Sequence, residues 1–335
     1  MKSMKMLCRE AIGGRSFSAV SIFCAILVTA EALSNCGLAL AQQSEKTKKA
    51  PEPFRWVNPL SEQEKSRYPF LQHSTFRSSS MKHDVGYCIY LPPQYLQPAW
   101  RSRNFPVVYY LHGGRPGSEK KAIRLSEKIH SAVQSAKVPP MIYVFVNGGP
   151  VSHYNLPDDP ESQGADVFIK ELIPHIDQTY RTIANRSGRA IEGFSQGGRG
   201  TARLMFRYPE LFCSASPGGG GHATEKKISE NNGAESERLV FAEGDNTWDL
   251  AAAYAERLKA DDETPLLSIL VHVGDKGFNY SNNLDWMKHL TQLGITHQSI
   301  IVPGAEHSAM QIYEKAGIEI MLFHAKQFQL NDGRL

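Results

Sequence analysis

Cysteine is scarce in this sequence, neither sign of charge is in real excess, and the longest apolar run falls short of a bilayer span. Each shortage excludes something. There are five cysteines in 335 residues. Cys8, Cys24 and Cys36 lie near the N-terminus, and Cys88 ("GYCIYL") and Cys213 ("LFCSAS") sit in apolar segments, as buried free thiols do. A bridge between the latter two is the less favoured alternative. Histidine and cysteine show no zinc-ligand spacing, and no glycine-rich loop is placed to cradle a phosphate. Neither a metal nor a cofactor is therefore expected. With 37 basic and 34 acidic residues the formal charge is +3, too small to indicate a nucleic-acid backbone or an anionic membrane surface as partner.

The longest apolar run, "FSAVSIFCAILVTA", follows Lys2, Lys5, Arg9 and Arg15 and precedes Ala39-Leu40-Ala41. Basic flank, apolar core and a small-x-small site predict a cleaved secretory signal over 1–41, hence a secreted or periplasmic protein. Glu31 and Asn35 after the run argue against a retained transmembrane anchor. Cys36 in "LSNC" offers a lipoprotein as the minor alternative, although Asn35 departs from the small residue usual in a lipobox. The segment carries four basic and two acidic residues, so its loss leaves 33 and 32 of the 37 and 34, a nearly neutral chain of about 294 residues. Residues 42–60 are polar and proline-containing and read as a tether. Residues 61–335 are enough for one large domain. The biased stretch 216–237, "SPGGGGHATEKKISENNGAESE", predicts a mobile surface loop.

The rest alternates between short β-branched runs and longer amphipathic stretches. Strands are expected at 86–91, 105–114, 141–149, 189–194 and 266–274, with another in "QSIIVPG". Most are apolar throughout, as strands buried on both faces are. Helices are expected at about 120–136, 165–180, 196–208, 247–259, 281–293 and 308–328. This alternation predicts an α/β protein with a mostly parallel central sheet and helices on both faces. The ligand site of such a sheet lies beyond the carboxyl ends of its strands, where the sequence places His112-Gly113-Gly114, Ser195, Asp275-Lys276 and His307.

"GFSQG" sets Ser195 between Gly193 and Gly197, after a strand and before a helix. A turn sharp enough to lift a serine hydroxyl off the sheet needs glycine two residues to either side. Serine is a weak nucleophile until a base takes its proton, and histidine has the pKa for that role near neutrality. His307, in "VPGAEHSA" between the last strand and the last helix, is the candidate base. His112 and His272 read as structural. The amide of Gln196, with one from the Gly113-Gly114 turn, would form an oxyanion hole.

The segments "YLPPQYL", "FPVVYYLHGG", "ELIPHIDQTYRT", "RAIEGFSQGGRGTARLMFRYPELF" and "VPGAEHS" resemble the Putative esterase family of α/β-hydrolases. That family includes feruloyl and acetyl-xylan esterases, esterase D-like enzymes, enterochelin esterases and mycolyltransferases. The resemblance covers about residues 84–328. It implies the α/β-hydrolase fold, with Ser195 as nucleophile, His307 as base, and the Gln196 and Gly113 amides as oxyanion hole. The acid departs from the pattern. It is expected three residues after the strand-ending glycine, and counted from Gly274 that position is Gly277. Asp275 is the leading candidate on that loop, with Asp245, Asp249 and Glu306 as alternatives. The activity implied is hydrolysis of an acylated carbohydrate or a small extracellular ester through an acyl-enzyme. An acyltransferase, or a secreted binding protein that keeps the fold without turnover, are the alternatives. Residues 147–159, "NGGPVSHYNLPDD", either line the substrate pocket or pack on their own turn.

Overall fold

The apolar runs form one eight-stranded sheet in the order β1-β2-β4-β3-β5-β6-β7-β8. Its strands are β1 (Leu71–Arg77), β2 (Asp84–Tyr90), β3 (Val107–Leu111), β4 (Ile142–Val146), β5 (Arg189–Phe194), β6 (Ser214–Gly218), β7 (Ser268–Gly274) and β8 (Gln298–Val302). The computed structural model describes residues 53–156, 159–222 and 243–331, all within one compact unit that begins at Pro53. The expected signal segment, most of the tether and most of the 216–237 insert lie outside the described residues. β1 pairs antiparallel with β2, and β2 with β4. From β4 through β8 every pairing is parallel.

Every residue of β3 and β4 is buried, because helices cover both faces. Alternate residues of β3 serve opposite layers, as the period of two requires. Val107, Tyr109 and Leu111 face one apolar cluster, and Val108 and Tyr110 face the other. The first cluster includes residues of α3 (a continuous run of Gly164–Asp166, a wider-wound Val167–Leu172 and Ile173–Thr179), α4 (Gln196–Arg207), α5 (Thr247–Ala260) and α6 (Tyr280–Gln292). The second includes residues of α2 (Leu125–Gln134) and α7 (Ala309–Asn331). A short helix, α1 (Glu62–Arg67), precedes the sheet and opens on a capping box between Ser61 and Glu64. Cys88 and Cys213 are buried and unbridged.

Two strands lack the apolar signature. β1, "LQHSTFR", is a half-buried edge strand. β6, "SASPG", is fully buried, so residues 216–218, expected at the start of a surface loop, are strand instead, and its small residues are dictated from above. A Cβ on Gly198 of α4 would lie 2.1 Å from Gly218 O, so helix and strand approach too closely there for side chains.

Candidate active site

Ser195 caps α4 directly after β5, with φ 62° and ψ −120°. A non-glycine residue in that region costs on the order of 1–3 kcal/mol, and the surroundings must hold it there. The flanking glycines show what does so. A Cβ on Gly197 would fall 1.9 Å from Leu111 O, and one on Gly193 would fall 2.4 Å from Gly197 O. Only glycine lets helix and strands close around the serine. Its own amide donates to Gly218 O at 2.9 Å, so it serves the turn and not a ligand. Gln196 is the first residue of α4, where backbone amides have no acceptor within the helix and the helix dipole favours negative charge.

The Gly113-Gly114 turn follows β3 and lies against the serine. A Cβ on Gly113 would sit 2.9 Å from Ser195 Cβ and 3.6 Å from its Oγ. Gly114 has φ +70°, and Ser152 Oγ donates to its carbonyl at 2.6 Å. His112 is buried below the turn, 2.7 Å from Asn147 O through Nε2, and His153 Nε2 lies 3.0 Å from His112 O. Both imidazoles hold the turn, the structural part expected of His112. His272 is likewise buried, with Nδ1 3.0 Å from Ser216 Oγ.

His307 follows β8 and brings Nε2 to 2.8 Å from Ser195 Oγ. Its ring lies beside those of Phe194 and Phe278, with centroids 4.9 and 4.2 Å away. At its other nitrogen the structure departs from expectation, because Asn279 Oδ1 faces Nδ1 at 3.2 Å. Asp275, the residue expected there, accepts instead from the Gly304 amide at 2.7 Å and ties its loop to the end of β8. The alternatives are also placed elsewhere. Asp245 pairs with Arg203 and Arg207, Asp249 accepts from Asn246 Nδ2 at 2.8 Å, and Glu306 is exposed.

The orientation of Asn279 follows from its other contacts. Its Nδ2 donates to Gly219 O and, at 3.2 Å, to Gly220 O. Two carbonyls at one end require the NH2 there, which turns Oδ1 toward the imidazole. Oδ1 can only accept, so Nδ1 carries the proton and the lone pair on Nε2 faces the serine hydroxyl. A general base needs this tautomer. A Cβ on Gly277, where the family pattern has its acid, would lie 3.5 Å from Asn279 Oδ1. The amide therefore reaches the same spot from two residues further along. Nothing in the sequence marked Asn279, because its role depends on the chain path through 219–220.

A cavity of about 280 Å³ opens beside Ser195 and His307. Its apolar wall includes Tyr110, Leu125, Phe194 and Met310, and its rim carries Lys121 and Arg124. The described residues of the 147–159 segment contribute nothing to this lining. Tyr154 is buried with Val151 and Leu156, under the Arg203 guanidinium at 3.9 Å, which is the packing alternative. Among the described residues no group of three histidine, cysteine or carboxylate side chains is placed to hold a metal, and no helix is long and apolar enough to cross a membrane.

The buried histidines around the site make stability depend on pH. Burial pulls the pKa of His112 and of His272 down to about 4, and pushes His153 and His222 well below the ordinary value. The folded protein keeps them neutral while the unfolded chain protonates them below about pH 6.5. The unfolded state thus binds more protons between about 6.5 and 4, and stability falls as pH drops through that window. For His112 or His272 the loss approaches about 3 kcal/mol at its lower end. Urea unfolding at pH 7 and pH 5 should show a large loss above the range where carboxylates contribute. A flat profile between these values would exclude neutral burial of the four.

Fold and site together describe an α/β-hydrolase with its serine on a strained strand-to-helix turn and a histidine in contact with it. The comparisons agree with this class. The family described as "Putative esterase" matches residues 78–303, and the chain belongs to that family. An esterase of Mycobacterium tuberculosis is 31% identical over 155 residues, 44% of this chain and 32% of that protein. An endo-1,4-beta-xylanase/feruloyl esterase of Xylanibacter ruminicola is 28% identical over 154 residues, 42% of this chain and 20% of that protein. Each alignment thus spans about a third or less of the relative's length. A solved ferulic acid esterase superposes with a TM-score of 0.63 at 22% identity, covering 77% of this chain and 98% of that one, which shows the shared fold.

Proposed function

We propose that the chain is an exported serine carboxylic-ester hydrolase. Ser195 Oγ attacks the ester carbonyl while His307 Nε2 takes its proton. The oxyanion forms against the amides of Gln196 and the Gly113-Gly114 turn. His307 then returns the proton to the leaving alcohol, and water, deprotonated by the same nitrogen, releases the acid. Asn279 keeps the imidazole in the required tautomer and plane. Being neutral, it stabilises the transient imidazolium by dipole only, where a carboxylate would add a full charge. No step calls for a metal or cofactor. The observation that carries this reading is the 2.8 Å contact of His307 Nε2 with the hydroxyl of a serine held at φ 62°.

Membership of the esterase family and the resemblance to feruloyl esterases support a carbohydrate ester or another small ester as substrate. The basic flank, apolar run and small-x-small site of residues 1–41 support export. An acyltransferase would share the acyl-enzyme and differ only in the acceptor, which product analysis with added alcohol distinguishes. Labelling with a fluorophosphonate tests the nucleophile. Modification is expected at Ser195 alone, absent in Ser195→Ala and strongly slowed in His307→Ala. A folded protein that takes up no label would refute the mechanism and leave a non-catalytic binding protein as the better account.

A further inference from the structure

The cavity beside Ser195 is asymmetric in charge. Lys121 and Arg124 stand on its rim, and none of the described residues that line it is a carboxylate. This is not general basicity, because acidic and basic residues nearly balance along the chain. Neighbouring cations are otherwise occupied, with Lys120 pairing with Glu64 at 2.6 Å and Arg67 with Glu127 at 2.8 Å. Neither Lys121 nor Arg124 has a carboxylate partner among the described residues. Lys121 is exposed as a whole residue, yet its ammonium lies over the oxyanion turn, 3.5 Å from where a Cβ on Gly114 would be. Desolvation there lowers its pKa to about 8, so the bare cation carries a cost that a bound anion would offset. In the same lining, Leu125, Phe194 and Met310 offer apolar contact.

We propose that this cavity selects esters carrying a carboxylate near the scissile bond, with Lys121 as the specificity-determining contact and Arg124 as its outer partner. The inference rests on the esterase reading and names the substrate class for that site. An apolar spacer would lie on the Leu125–Met310 wall while the carboxylate meets the lysine. Charge-assisted contacts of this kind are worth about tenfold or more in affinity.

The test compares matched pairs. 4-Nitrophenyl hemiglutarate against 4-nitrophenyl valerate places the charge on the acyl half, and 4-acetoxybenzoate against its methyl ester places it on the alcohol half. For at least one pair, kcat/KM for the charged ester should exceed that for the neutral one. Lys121→Met should lower this ratio about tenfold or more, chiefly through KM, while Lys121→Arg retains most of it. Binding of the same pairs to Ser195→Ala protein reports the subsite without turnover. Preference there that depends on Lys121, with no hydrolysis by wild type, would refute the esterase reading and leave the anion subsite standing. Hydrolysis with no preference in either pair, or preference that survives Lys121→Met, would overturn the subsite.

Discussion

Replacing Ser195 or His307 by alanine is expected to lower kcat on an activated ester by on the order of 10⁶-fold, and the double replacement should cost little more. The two side chains act as one unit. Without Nε2 at 2.8 Å the hydroxyl keeps its proton and is a poor nucleophile, and without the hydroxyl the base has nothing to deprotonate. KM should change far less, because neither side chain forms the apolar wall of the cavity. Residual catalysis would come from the Gln196 and Gly113-Gly114 amides, which neither substitution removes. Both variants should keep the wild-type fold. Ser195→Ala retains the Cβ that makes φ 62° unfavourable, whereas Ser195→Gly should gain on the order of 1 kcal/mol of stability by removing it. Steady-state kinetics with urea unfolding on the same preparations checks all of this. A His307→Ala enzyme within tenfold of wild type would show that another group is the base.

Much of this arrangement was legible in the sequence, and the exceptions share a physical cause. β3 and β4 announce themselves because helices cover both faces and burial demands unbroken apolar residues, and β5 and β7 are still legible although Glu192 and His272 interrupt them. Ser195 is legible because a steric requirement at Gly193 and Gly197, contact with the Leu111 and Gly197 carbonyls, writes itself as a local pattern. His307 follows from its place after the last strand. β6 was missed because what fixes "SASPG" is the close approach of α4, a tertiary demand for smallness that carries no strand propensity. Edge strand β1 carries polar residues on both faces, Gln72 and Ser74 on one and His73, Thr75 and Arg77 on the other, and so resembles a loop. Asp275 is the carboxylate nearest the family position, but its side chain accepts from the Gly304 amide, a contact that no local sequence pattern marks. Nothing in a sequence of nearly balanced charge marks Lys121 and Arg124. Only the folded chain brings them to the rim of a cavity with no acid among its described lining residues.

Asn279→Leu is expected to reduce kcat by about 10²–10⁴-fold, because it removes the acceptor that holds His307 in its base tautomer. The same change leaves Gly219 O and Gly220 O without their buried donor, at a cost of about 1–3 kcal/mol of stability. Those two carbonyls also explain why an amide stands here. In Asn279→Asp a carboxylate oxygen would face them where an NH2 now donates, so the acid should be destabilising and driven toward its protonated form. Gly277→Asp is the better route to a carboxylate. Its Cβ would point at the position of Asn279 Oδ1, and the nearest atom it must displace is Gly274 O at 3.2 Å. Placed on the Asn279→Leu background, Gly277→Asp should restore part of kcat. It should also move the acid limb of the kcat/KM profile to higher pH than in wild type, because a full negative charge beside the ring favours the imidazolium more than an amide dipole does. A residue that merely braced the 219–220 segment would lower stability without moving that limb, and the carboxylate at 277 would rescue nothing. An Asn279→Leu enzyme with wild-type kcat and an unshifted pH profile would show that the imidazole is oriented by another group.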